Sequence, residues 1–405
     1  MSELVSTALD PGLAGAAAAA EGTIEALRSL LLLIVGAKAG EEIARRLGQP
    51  GVVGEVAGGF AVGPHALGLA SLDPVVFVFA ELGVVILLFS VGLEVRTDDL
   101  LAVRRAALLV ALLAMALPLA LGAALVSWTG EAPGPAVFAG LALAATSIGI
   151  TSRVLAEMGV LDRPFSRVIL GAAIVDDVAA LLLIGIVSGA ARGALSLESA
   201  LAVVVSALGL LGLGLAVARR ARGLPREVFT WPLFADTPLV PAFLLMLAGA
   251  LVAAQVGLAA IIGAFVAGLI LAETEAREEL AEEMRPLGLV FAPFFFAVTG
   301  AQVDLGALVN PALALLAIGL AVVGVVTKLA GGYLGARGLG RWGALAVGAG
   351  MVPRGEVGIV VANLGITLGL LTGDLFSAVV IAVVLTTVAA PLLLARVVPR
   401  AMREA

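Results

Sequence analysis

Two adjacent aspartates, Asp176 and Asp177, stand inside GAAIVDDVAALLLIG (171–185), part of an apolar stretch long enough to cross a bilayer. One charge at a bilayer centre costs about 2.5–3.5 kcal/mol on insertion scales, so a pair needs a chemical reason. Consecutive residues on a helix point about 100° apart, which lets the two carboxylates address different partners. Carboxylates this close titrate as a coupled system and accept hard cations once deprotonated, the chemistry of a combined cation and proton site. The blander reading is an acid pair neutralised by arginines for folding. The rarity and cost of intramembrane acids favour function.

Other polar residues share the apolar background. Lys328, in VVGVVTKLAGGYLG, is about eight residues from the next arginine, roughly 12 Å of helix, too deep for easy snorkelling. It needs a counter-charge, and Asp176 or Asp177 is the natural one. Arg354 and Glu356 sit in PRGE, where Pro353 removes a backbone donor and Gly355 loosens the helix. Broken helix ends present free N–H and C=O groups that ions use. A plain proline kink, with Arg354 and Glu356 pairing, reads the same residues. Thr146 and Ser147 open TSIGITSR (146–153); such hydroxyls usually bond their own backbone, so their claim as ligands rests on position. Glu81, in FAELGVVILLF, is a further buried acid, an arginine partner or a member of a proton path. Glu55, nearer the cytoplasmic end of its segment, is expected to be partly solvated. His65, after Pro64, reads as a capping or interfacial residue.

The elements that must position these groups follow from composition. The chain has 405 residues, 61% hydrophobic and 13% charged, about half the charge of a soluble protein. Apolar blocks near 27–44, 51–70, 74–93, 105–128, 135–157, 165–189, 197–218, 237–254, 256–272, 286–303, 311–336, 342–368 and 375–396 predict an all-α polytopic membrane protein with thirteen crossings. Twenty of the 24 lysines and arginines then fall on one side and only Arg28 and Arg192 on the other. That bias places the N-terminus outside and the C-terminus in the cytoplasm, which an odd number of crossings requires. Six crossings, a linker and six more make the second half an inverted repeat of the first. The fifth and twelfth segments then correspond, and both have polar, glycine-rich centres, TSIGITSR and GMVPRGEVG (350–358). Residues 1–26 read as an acidic, poorly structured leader. EAREELAEEMR (275–285) reads as a solvated cytoplasmic helix.

Composition also excludes chemistry. The chain has no cysteine and one histidine, so disulfides, thiolate sites and multi-histidine metal sites are out. No P-loop or nucleotide-binding pattern is present, so ATP does not drive the protein directly, and nothing points to nucleic acid or a cofactor. A membrane-embedded hydrolase lacks a nucleophile–base pair, so the reading is not an enzyme.

Taken together, RRLGQPGVVGEVAGGFAVGP (45–64), FAELGVVILLFSVGLE (79–94), ATSIGITSRVLAEMG (145–159), the aspartate pair, LVFAPFFFAVTG (289–300), Lys328 and PRGEVG (353–358) resemble the monovalent cation:proton antiporter superfamily, in its second large branch, and within it the bacterial sodium/proton antiporters. The resemblance runs over nearly the whole chain. It implies thirteen helices with two crossed discontinuous ones. It implies dimerisation parts at 27–73 and 237–285, core parts at 74–190 and 286–405, and a linker helix and loop at 191–236. It makes Asp177 the ion-binding and proton-carrying carboxylate, Asp176 the neighbour that is aspartate in electrogenic members, and Lys328 the partner of Asp176. Thr146, Ser147, Glu356 and Arg354 match the two breaks. The implied protein is a homodimer in a bacterial cytoplasmic (inner) membrane, exchanging Na+ or Li+ for protons by an elevator-like movement. A K+/H+ antiporter, a K+ efflux pathway and an organic-anion symporter stay open as rivals, the last disfavoured by the buried acids.

Overall fold

The computed structural model describes residues 11–191, 197–225, 237–256, 258–303 and 306–404, and every regular element among them is helical. The helices are α1 (Pro11–Arg46), α2 (Gly51–Val62), α3 (Pro74–Glu94), α4 (Thr97–Ala102), α5 (Arg104–Trp128), α6 (Pro133–Ala144), α7 (Ile148–Glu157) and α8 (Pro164–Ala191). The second half holds α9 (Leu197–Ala221), α10 (Leu239–Gln255), α11 (Ala260–Leu271), α12 (Arg277–Ala301), α13 (Pro311–Gly335), α14 (Gly340–Gly350), α15 (Glu356–Thr367) and α16 (Gly373–Glu404). Among the described residues, six helical stretches are long and apolar enough to cross a membrane: α3, α5, α6 with α7, α12, α13 and α16. The chain is a multi-pass membrane protein.

Local sequence explains the boundaries. Asp73 caps α3 by accepting from Val76 N at 3.0 Å, and Pro74 fills the first helical position, where no N–H is needed. Asn310 and Pro311 open α13 in the same way. Helix α1 departs from expectation: it begins at Pro11, so residues 11–26 of the expected leader are helical. Alanine, which fills the run GAAAAAE, has the highest intrinsic helix propensity of any residue. Likewise α12 takes in most of the acidic 275–285 run and continues into the membrane stretch past Pro286 and Pro293.

Packing sorts the helices into two bundles. In the first, α1 lies on α2, α2 and α3 on α12, α3 on α11, and α10 on α11. In the second, α5 packs on α6, α8 and α13, while α13, α14 and α16 pack on one another. Helices α3 and α12 therefore side with α1, α2, α10 and α11, where the resemblance had placed them with the core. The physical reason is glycine. A Cβ at Gly83 would meet Phe291 O at 2.2 Å, one at Gly300 would meet Val56 O at 1.9 Å, and one at Gly268 would meet Phe89 O at 2.2 Å. Backbones in direct contact are the membrane solution to helix association, since lipid supplies no hydrophobic drive between helices.

Between the bundles the contact is of another kind. Helix α7 lies against α3 and α2, and a Cβ at Gly149 would meet side-chain atoms only, Val84 Cγ2 at 3.1 Å and Phe295 Cε1 at 3.4 Å.

Candidate ion-binding site

Two helices break inside the second bundle and the breaks touch. Between α6 and α7 the chain is non-helical over 145–147, and between α14 and α15 over 351–355. Ser147 N donates to Pro353 O at 2.8 Å, and Thr151 Oγ1 donates to Gly350 O at 2.6 Å, so each break satisfies part of the other. Pro353 cannot donate, so its neighbourhood needs an outside partner. Gly355 makes the approach feasible: a Cβ there would stand 2.7 Å from Ser147 Oγ.

Helix α8 carries Asp176 and Asp177 to this crossing, both buried. Lys328, fully buried on α13, donates to Ala144 O at 2.5 Å and Thr146 Oγ1 at 2.6 Å, and lies 3.2 Å from Asp176 Oδ2. The Thr146 hydroxyl donates in turn to that same Asp176 oxygen. One hydroxyl thus joins lysine to carboxylate at the end of α6. Asp177 also acts electrostatically on Lys328. Among the described residues, Asp176 Oδ1 is buried without a hydrogen-bond partner, a carboxylate oxygen open to a further ligand.

Arg354 takes an unexpected role. Its guanidinium, fully buried, donates from Nε (2.8 Å) and Nη2 (2.5 Å) to Leu143 O, from Nη1 to Val352 O (2.5 Å) and from Nη2 to Gly324 O (3.2 Å). All these acceptors are backbone carbonyls, two of the bonds going to the open C-terminal end of α6. Charged donors on carbonyls are worth about 1.5–3 kcal/mol each, and a cation at a helix C-terminus meets the negative end of its dipole. Thr387, on α16, donates to the carbonyl of Arg354 itself and steadies the break from the outside. Sequence reasoning missed Thr387; the only signal is a hydroxyl pair, Thr386-Thr387, in an otherwise apolar run.

The sequence-derived candidates thus divide. Asp176, Thr146 and Lys328 form one bonded cluster, with Asp177 beside it. Ser147 and Arg354 hold the crossing. Glu356 opens α15 at the same break, and its side chain lies outside the described residues. Glu81 is elsewhere: it is exposed on α3, in a groove with Leu247, Leu251 and Ala254, not a buried acid. Glu55 corrects the other way, being wholly buried where partial solvation was expected. Both reversals have one cause. The segments around these acids are apolar on every face, so no periodicity says which side faces what.

Residues 29–399 match the model of the sodium/hydrogen exchanger family, transmembrane. The chain is 35% identical to the high-affinity Na+/H+ antiporter NhaS3 of Synechocystis sp., covering 93% of this chain and 91% of that one. It is 33% identical to the Na+/H+-K+ antiporter GerN of Bacillus cereus (89% and 93% covered) and 33% identical to an Na+/H+ antiporter of Enterococcus hirae (92% and 97%). The fold resembles that of the sodium proton antiporter MjNhaP1 of Methanocaldococcus jannaschii, with a TM-score of 0.65 at 18% identity over 94% of this chain and 99% of the other.

Proposed function

The chain belongs to the transmembrane sodium/hydrogen exchanger family, and on that premise we propose that it is a secondary transporter exchanging Na+ or Li+ for protons by alternating access, electrogenically. The observation that carries the reading is the Asp176 carboxylate, buried, with one oxygen on Lys328 and Thr146 and the other without a hydrogen-bond partner among the described residues.

The mechanism is competition. Deprotonated Asp177 and Asp176 bind one dehydrated cation with nearby oxygens of the breaks, Thr146, Ser147 and Glu356 among them. Protons expel it, because carboxylate ligands bind metal only when deprotonated. When Asp176 loses the cation it returns to Lys328. A neutralised site crosses the low-dielectric region; an uncompensated pair of carboxylates is held back, which prevents leak. Lysine at 328 with aspartate at 176 supports more than one proton per cation.

Thirteen crossings in inverted repeats, with the N-terminus outside and the C-terminus in the cytoplasm, fit the arginine and lysine bias. The glycine-locked bundle of α1–α3 and α10–α12 suits a stationary, dimer-forming part, and the bundle with both breaks suits the part that moves. The bacterial relatives support a place in a bacterial inner membrane. GerN, an Na+/H+-K+ antiporter, keeps K+ as a second reading. Proton movement in proteoliposomes driven by Na+, Li+ or K+, with and without an imposed potential, tests both. Potential-sensitive movement driven by Na+ and Li+ supports the proposal, while movement driven by K+ alone replaces Na+ as substrate. A current that ignores pH and follows the cation gradient refutes exchange.

A further inference from the structure

Polar contacts join the bundles at the arginine-rich end, where α7 meets the start of α2. Glu157 Oε2 accepts from Gly51 N at 3.2 Å and so caps the first turn of α2 from the other bundle. Arg153, one turn earlier on α7, bonds Glu157 at 2.9 Å and holds Nη2 3.9 Å from Glu55 Oε1. Glu55 is fully buried, yet neither of its carboxylate oxygens has a hydrogen-bond partner among the described residues.

Its cations are occupied elsewhere. Lys38, on α1, lies 3.8 Å from Glu55 but bonds Glu41 at 2.8 Å, and Arg45 bonds Glu41 at 2.6 Å. The charged groups acting on Glu55 are thus Arg153 and Glu157 from α7, and Glu41 and Lys38 from α1. Helices α12 and α16 also pack on α2, and among the described residues they bring no charge within ion-pair distance of it. A buried carboxylate held at 3.8–3.9 Å by two cations, with no hydrogen bond among the described residues, is sensitive to a proton, since protonation removes the attraction and breaks no hydrogen bond.

We propose that Glu55, Arg153 and Glu157 form a proton-sensitive clasp between the two bundles, holding α7 to α2 while Glu55 is ionised and releasing it when Glu55 is protonated. The clasp regulates the exchange proposed above, and rests on that reading for its purpose, but it binds no transported ion. It slows the relative movement of the bundles at alkaline pH and leaves it free at acidic pH.

Backbone amide exchange tests the clasp without requiring transport. In nanodiscs between pH 6 and pH 9, the ratio of exchange rates in E55Q to wild type, over peptides covering 49–56 and 150–158, cancels the intrinsic pH dependence. The expected ratio is near one at pH 6 and rises to about fivefold or more at pH 9, a usual size for coupling between elements. R153Q gives the same profile, and the double variant adds nothing to it. In proteoliposomes, both single variants exchange faster than wild type at pH 9 with an unchanged half-saturating Na+ concentration. A pH-independent ratio, or strictly additive effects, overturns the clasp whether or not the protein transports Na+. A changed half-saturating Na+ concentration at every pH overturns it too, by placing Glu55 in the ion path. Loss of Na+-driven exchange with the pH-dependent ratio intact overturns the functional reading and leaves the clasp standing.

Discussion

Replacing Lys328 with methionine keeps a long, unbranched chain in nearly the same space and deletes the charge together with its N–H donors. The loss is large because three groups depended on that ammonium: Ala144 O, Thr146 Oγ1 and Asp176 Oδ2. Ala144 is the last residue of α6, so its carbonyl has no helical partner to return to. Asp176 keeps only the Thr146 hydroxyl. Breaking a buried pair by removing one partner costs about 3–5 kcal/mol, most of it from the stranded charge. Asp176→Asn strands the lysine and costs about as much. The double variant strands no charge, and swapping a whole buried pair for neutral groups is often near neutral. Unfolding in mixed micelles of detergent and SDS, run as a four-member cycle, reads the difference. Each single loss should exceed the double loss, so the coupling is at least the size of one single loss, about 3 kcal/mol or more. Additivity within about 0.5 kcal/mol would refute the pairing, whatever the distance between the atoms.

Asp177→Asn should abolish Na+-driven proton movement in everted vesicles while the protein stays folded; robust movement by this variant removes Asp177 from the mechanism. Gly355→Ala puts a methyl 2.7 Å from Ser147 Oγ and pushes the two breaks apart. Overpacking of about 1–3 kcal/mol predicts roughly tenfold weaker apparent Na+ affinity, measured as half-saturation of exchange, and unchanged affinity defeats the argument. In the turn between α11 and α12, burial alone would raise the Glu273 carboxyl, but bonds from Thr97 and Arg222 outweigh it and hold the group below its ordinary 4.5. A depressed folded-state pKa stabilises above the ordinary value and loses that stability as pH falls through the folded one. Glu273→Gln should therefore lower stability by about 1–3 kcal/mol at pH 7, a gap that closes in strong acid; thermal melts at both pH values check it.

The break at PRGE was legible because proline and glycine act locally, Pro353 removing a backbone donor and Gly355 loosening the helix; the break at 145–147 has no such mark, since Gly149, the one glycine of TSIGITSR, lies inside α7. That Lys328 pairs with one of the two aspartates was legible from cost, since each charge alone is too expensive to bury; the choice of Asp176 came from the resemblance. The acceptors of Arg354 were not, because a carbonyl exposed by a broken helix has no residue type to give it away. Thr387 was hidden for a related reason: threonine in a membrane helix ordinarily bonds its own backbone, as this one also does at 2.9 Å to Val383 O. The grouping of α3 and α12 depended on which face each glycine takes, and helices apolar all round carry no mark of it.

The contrast between backbone contacts within the bundles and side-chain contacts at Gly149 concentrates mechanical compliance in one seam. Gly40 and Gly54, like Gly249 and Gly263, are seated so closely that neither helix of the pair can shear past the other. Thinning or stretching of the surrounding lipid should therefore reach this protein as a tilt between two stiff blocks, with Val84 and Phe295 rolling over a bare stretch of α7, rather than as bending of its individual helices.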